Sequence, residues 1–199
     1  MTDPQETTDP AAGLAWVFAY GSLMWRPDFP HVETHPAVLQ GYHRAACILS
    51  TVYRGTPEHP GLVLGLKPGG ECRGRAYRVE PDQRLAVLDA LRAREMINAV
   101  YVERLLPVVL EDGRRVEALC YVADPAHPQY RGDLTQAEAA QLIVQGHGAQ
   151  GSAREYLERS VAHLEALSVC DEGLYHLLQV VRASDGGGDL ESRRGGVPF

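Results

Sequence analysis

The sequence predicts an α+β fold in which strands come first, one helix is inserted among them and helices finish the chain. Three observations carry this. Short β-branched and aromatic runs, separated by Gly- and Pro-bearing segments, fill the front half. A single helical run opened by Pro81 interrupts them. Two Ser/Thr-x-x-Glu patterns precede apolar runs in the back third.

The elements follow in order. Trp16 to Tyr20 (WVFAY) is a short strand running into a tight turn at Gly21. Three more strands are expected at 37–50, 62–67 and 72–79, with RGTPEHPG and PGGE as the turns between them. Gly41, Gly65 and Gly74 inside these runs point to bends or bulges, as in a small curled sheet or barrel. PDQRLAVLDALRARE reads as the inserted helix, because a first-turn proline lacks only a hydrogen bond that the helix would not make there. VYVERLLPVVL, the turn EDG and RRVEALCYVAD form a β-hairpin. Thr135-x-x-Glu138 and Ser152-x-x-Glu155 are helix starts; Leu157, Val161, Leu164 and Ser168 continue the second with helical spacing, and DEGLYHLLQVV supplies a last helix. The polar, Gly-rich segments 1–13 and 184–199 are expected to be disordered, which leaves one domain at 14–183.

Composition narrows the function. The 199-residue chain is 45% hydrophobic and 23% charged, with a formal net charge of −7, the profile of a globular protein with a full core. A net acidic chain without a dense Lys/Arg cluster argues against nucleic acid as a partner. No apolar run approaches the ~20 residues of a membrane span, and MTDPQETTDPAAG lacks the basic and apolar segments of a secretory signal, so a cytoplasmic location is expected. Cys47, Cys72, Cys120 and Cys170 form no CxxC pair and are read as small buried apolar residues; spacing gives no support for zinc bound with His43 or His59.

Few residues stand out chemically. In YGSLMW (20–25), Gly21 permits a sharp turn that directs successive N–H groups into one small space, where they would bind a carboxylate or an oxyanion; an ordinary strand-ending turn is the alternative. Ser22 is a weaker candidate as a nucleophile, since G-x-S-x-G is absent. Glu95 lies four and seven positions after Leu91 and Leu88, so a helix places a carboxylate on an apolar stripe. Either it is held inside, where desolvation makes it a better base, or it sits at a solvated helix end paired with Arg92 or Arg94. Tyr101 and Tyr121 fall in the two arms of the hairpin, where a core role with a satisfied hydroxyl competes with a pocket role. Arg54, in YRGTPEHPG, is either solvated or a fork for a substrate carboxylate.

Taken in order, WVFAYGSLMWRPDFP, GYHRAACI, RGTPEHPG, GRAYRV, REMINAVY, ADPAHPQY and GSAREYL resemble the ChaC-type γ-glutamylcyclotransferases, most closely their bacterial REM-motif branch, from about Trp16 to Val181. The resemblance implies a γ-glutamylcyclotransferase-like barrel. It implies cleavage of glutathione to 5-oxoproline and cysteinylglycine, with no metal or organic cofactor and no protein partner named. It places Glu95 at the catalytic glutamate, Tyr20, Gly21, Ser22 and Leu23 at the loop that receives the γ-glutamyl part, Tyr121 at a pocket tyrosine, Tyr101 at the close of the REM…Y motif, and Arg54 at a recurrent loop arginine. Other γ-glutamyl amino acids or amines are the alternative substrates, and a non-catalytic γ-glutamyl-binding protein is the alternative class. One departure concerns pocket shape: animal members carry a glycine pair before the tyrosine, and this chain has Asn98, Ala99 and Val100.

Overall fold

A computed structural model describes residues 14–186. The chain divides into two compact units, residues 14–44 with 66–124 and residues 45–65 with 125–186. Two 18-residue strands, β2 (Glu33–Ser50) and β3 (Gly61–Arg78), pass through both.

The first unit is built on a barrel. β1 (Trp16–Ala19), β4 (Tyr101–Leu110) and β5 (Arg115–Ala123) join β2 and β3 in the order β1-β3-β2-β4-β5. β1 pairs antiparallel with β3 and parallel with β5 (Trp16 opposite Ala118), and this last pairing closes the barrel. Period-two alternation then sorts the side chains. Trp16, Phe18, Leu39, Leu66, Val108, Leu110, Cys120 and Val122 turn into one apolar cluster. Intervening residues such as Glu103 and Tyr121 take the opposite face. Gly74 is required by close packing: a Cβ there would lie 2.2 Å from the Ala19 carbonyl oxygen and 2.8 Å from the Phe18 ring. Gly41, at φ 83, supplies the left-handed bend that the sequence anticipates in β2.

The inserted helix arrives as expected. Pro81–Gln83 form a 3-10 turn that leads into α1 (Arg84–Glu95), whose Val87, Leu88 and Leu91 are buried. PGGE proves not to be a turn between two strands. Gly69 and Gly70 are left-handed (φ 96 and 72), but the chain keeps its direction and β3 runs on continuously. The glycine pair kinks the ladder instead of reversing it, and His43 Nδ1 lies 2.8 Å from the Gly69 carbonyl oxygen, so that nitrogen carries the proton.

The second unit holds three helices: α2 (Gln136–Gln145), α3 (Ala153–Ala166) and α4 (Glu172–Gly186). Thr135 and Glu138 cap α2 reciprocally, and the Ser152 hydroxyl accepts from the Glu155 N–H at the start of α3. A two-residue ribbon, β6 (His147–Gly148) with β7 (Gly151–Ser152), precedes α3. Ser168 does not extend α3. It is left-handed at φ 54, and the bonds from Ser168 N–H to Glu165 C=O and from Val169 N–H to Leu164 C=O close the helix in a Schellman motif. α4 continues through Ser184 to Gly186, three residues beyond the expected ordered segment; the remaining expectations of disorder lie outside the described residues. Three cysteines are buried as expected, but Cys170, in the α3–α4 connection, is exposed. Among the described residues no helix is long and apolar enough to cross a membrane, and no group of three or more His, Cys, Asp or Glu side chains is placed to hold a metal ion.

Candidate active site

The segment after β1 folds into one 3-10 turn, Ser22–Met24. The N–H groups of Met24 and Arg26 are bound by the Gly21 and Ser22 carbonyls at 2.9 Å. As the first groups of the turn, the Ser22 and Leu23 N–H groups have no acceptor within it. Leu23 and Met24 are buried. The Tyr20 side chain belongs to the barrel cluster, and its backbone carbonyl leads into the turn.

Three side chains hold the turn. Arg44, buried on β2, donates to the Tyr20 carbonyl, to the Arg73 carbonyl at 2.6 Å and to Met24 Sδ at 3.7 Å. Tyr77 donates its hydroxyl to the Met24 carbonyl at 2.7 Å. Arg94 donates through Nη2 to the Ser22 hydroxyl at 2.9 Å, and through Nη1 to the Arg26 carbonyl at 2.8 Å and the Asp28 carboxylate at 3.0 Å.

Glu95 is the last residue of α1, and its side chain is 18% exposed. Both readings of the sequence contribute. The carboxylate continues the stripe of Leu88 and Leu91, and its Oε1 also lies 3.3 Å from Arg94 Nε. Desolvation raises its pKa above the ordinary carboxylate value, and the Arg94 charge offsets this only in part. At neutral pH the group is therefore a stronger base than a surface glutamate.

Tyr121 is 2% exposed on β5, directly opposite Glu103 on β4. Its hydroxyl donates to Glu103 Oε1 at 3.2 Å. Arg92 binds the same carboxylate with a fork, Nε to Oε1 at 2.8 Å and Nη2 to Oε2 at 2.7 Å. The Arg92 bonds hold Glu103 below the usual carboxylate range. Burial drives the Tyr121 phenol far up, helped by the charge of Glu103 and, further down, that of Glu95, which puts Tyr121 within electrostatic reach of both acids. Tyr101 is half-buried at the start of β4, opposite Ala123 and on the same face as Glu103.

The first unit therefore brings together Glu95, Tyr121 and, through Arg94, the turn at Ser22. Arg54 belongs to the second unit. There its guanidinium donates to the Gln150 carbonyl and lies over the Tyr156 ring, 5.4 Å from its centroid. Sequence reasoning missed the Arg92–Glu103 pair and the turn contacts of Arg94 and Arg44. Arg92 and Glu103 are eleven residues apart, one on the helix and one on β4, and no local period brings them together. The backbone from helix to strand holds Ala99 at φ 52, in the left-handed region that favours glycine.

Comparison with known proteins agrees with this architecture. A family model described as ChaC-like protein matches residues 15–184. The glutathione-specific γ-glutamylcyclotransferase of Escherichia coli K12 is 39% identical over 173 residues, 87% of this chain and 75% of the relative. The human glutathione-specific γ-glutamylcyclotransferase 1 is 34% identical over 160 residues, 78% and 71% of the two chains. A crystal structure of the yeast γ-glutamyl cyclotransferase specific to glutathione superposes with a TM-score of 0.78 at 24% identity, over 85% of this chain and 96% of that one, and so shares the fold. On the family match and the identity to these relatives, the chain belongs to the ChaC-like family.

Proposed function

We propose that the protein is a glutathione-specific γ-glutamylcyclotransferase that releases 5-oxoproline and cysteinylglycine with Glu95 as proton shuttle. The observation that carries this reading is a desolvated glutamate ending α1, joined through Arg94 to the turn after β1. The names of the relatives point to the same substrate.

The chemistry needs one such group. The α-ammonium of the γ-glutamyl residue is not nucleophilic until Glu95 accepts its proton. The freed amine attacks its own γ-carbonyl carbon, forming the C–N bond of a five-membered lactam. Protonated Glu95 then gives that proton to the cysteinyl nitrogen as its C–N bond breaks, since an amide anion is too basic to depart. The regenerated carboxylate takes the second proton from the ring nitrogen and passes it to the released amine, leaving the lactam N–H. A raised carboxyl pKa narrows the gap to the ammonium and eases the first transfer, while the protonated carboxyl remains acidic enough to donate to an amine leaving group. The nucleophile is already tethered, so the protein's task is to hold the substrate folded on itself. In this reading the backbone of Tyr20, Gly21, Ser22 and Leu23 receives the γ-glutamyl group, with an effect of about 3 kcal/mol for a well-aimed N–H on the developing oxyanion. Tyr101 and Tyr121 line the pocket. Arg54 is assigned to a substrate carboxylate, and a raised KM with unchanged kcat in Arg54→Gln tests that role.

Purified protein incubated with glutathione, γ-glutamyl-alanine and γ-glutamyl-lysine, with 5-oxoproline as readout, tests the whole. Release from glutathione alone is expected. Release from the other two moves the substrate assignment. Thermal stabilisation by glutathione without turnover replaces the enzyme with a binding protein.

A further inference from the structure

Arg94 is the side chain that spans the two halves of the proposed site. Its guanidinium faces three groups of the segment after β1: the Ser22 hydroxyl, the Arg26 carbonyl and the Asp28 carboxylate, all at 2.8–3.0 Å. Its Nε meanwhile lies 3.3 Å from Glu95 Oε1. We propose that Arg94 is a positioning residue, whose guanidinium fixes the Glu95 carboxylate against the Ser22 turn and so sets the spacing between proton acceptor and γ-glutamyl cradle.

The geometry suits arginine and no other residue. A guanidinium presents five donors in a rigid plane, so one edge serves the turn while Nε addresses the neighbouring acid. A lysine ammonium carries comparable charge but is a single point, unable to bond Ser22, Arg26 and Asp28 together while staying at Glu95. Arg94 is 29% exposed, enough shelter for these bonds to hold the side chain in one place. Arg92, two residues earlier, is committed elsewhere by its fork on Glu103, so it does not substitute. Asp28 is left-handed at φ 54, and its carboxylate balances the Arg94 charge from the side of the turn. Among the described residues, the charged and titratable groups that bear on Glu95 are Arg94 on its own helix, Asp28 across Arg94 with Arg26 at 3.9 Å from it, and Tyr121 from β5 backed by Glu103 and Arg92.

This inference rests on the proposed role of Glu95, and its test reads two quantities that do not need turnover. In protein labelled with ¹³C at the glutamate carboxyls, with the Glu95 signal assigned through Glu95→Gln, Arg94→Met is expected to move the Glu95 titration to higher pH. Hydrogen exchange at the Met24 and Arg26 amides is expected to quicken in the same variant. Arg94→Lys separates the two jobs: it restores the titration toward wild type but leaves the amides fast. With glutathione, Arg94→Met is expected to lower kcat by roughly 10- to 100-fold, the scale of a misplaced catalytic group, and to carry the acid limb of kcat/KM with the carboxyl titration. An unchanged Glu95 titration with unchanged amide exchange overturns the proposal, whatever the activity. A wild-type protein inactive on glutathione overturns the proposed reaction and leaves the titration and exchange arms to decide on Arg94.

Discussion

Glu95 and Glu103 are the same residue type, close to the same tyrosine and similar in side-chain exposure, at 18% and 17%, but Glu95 is surrounded more deeply by protein. Their environments push them in opposite directions. Glu103 accepts a two-pronged arginine and a phenol, so its charge is stabilised and its pKa falls. Glu95 has one neighbouring cation, which does not offset the loss of solvent, and its pKa rises. A structural anion and the proposed base thus share one tyrosine neighbour. When two titratable groups are driven apart in this way, the roles they can take are assigned by their partners and not by their identity.

The comparison breaks most sharply on activity. Glu95→Gln keeps size and shape but accepts no proton, and a loss on the order of 10²–10⁴ in kcat is expected from 5-oxoproline release. Glu103→Gln weakens the Arg92 fork and the support of Tyr121 but leaves the proposed base in place, and roughly tenfold is expected. Similar losses in the two variants would erase the distinction drawn between them.

Stability should separate them by sign. Glu95 has a folded pKa above its unfolded value, so its contribution is fully present below the unfolded pKa and lost as pH rises through the folded one. At pH 7 a charged Glu95 is a burden, and Glu95→Gln is expected to raise Tm. Glu103 is depressed; its contribution is present above the unfolded pKa and lost as pH falls through the folded one. Glu103→Gln should therefore lower stability at pH 7, by about 1 kcal/mol after allowing for solvent screening of the half-exposed Arg92. Thermal melts of both variants at pH 7 check the pair of signs.

The pH profile sharpens the same contrast. The base must be ionised, so kcat/KM is expected to fall with acid around the raised pKa of Glu95, above the ordinary carboxylate value. An acid limb at or below that value would remove Glu95 from the role. Tyr121→Phe deletes one bond to Glu103 and is expected to destabilise by about 1 kcal/mol in denaturant unfolding. The smallest effect concerns the link between the two acids. Ala99→Gly relieves a left-handed alanine but adds unfolded-state freedom, so a net gain of about 0.5 kcal/mol is expected in the same measurement.

Much of this was legible in the chain. Aromatic and β-branched runs bounded by Gly and Pro located the barrel strands, and in the barrel period two buries Trp16, Phe18, Cys120 and Val122 together. The 3.6-residue period put Glu95 on the stripe of Leu88 and Leu91 regardless of what packs there. Local signals failed where one cue admits two backbones: PGGE allowed a turn or a kink, and Ser168 kept the helical spacing while occupying a left-handed cap.

Sequence by itself determined the family, the order of elements and the candidate base, because periodicity, turn chemistry and motif spacing are local properties. Only the tertiary structure decided which arginine serves which acid. Arg92 and Arg94 lie two positions apart on one helix and so point in different directions. β4 delivers Glu103 to the first, and the turn after β1 delivers Ser22 and Asp28 to the second. Proton affinity depends on solvent and on charges brought from distant positions, so the difference between the two carboxylates exists only once the barrel has closed.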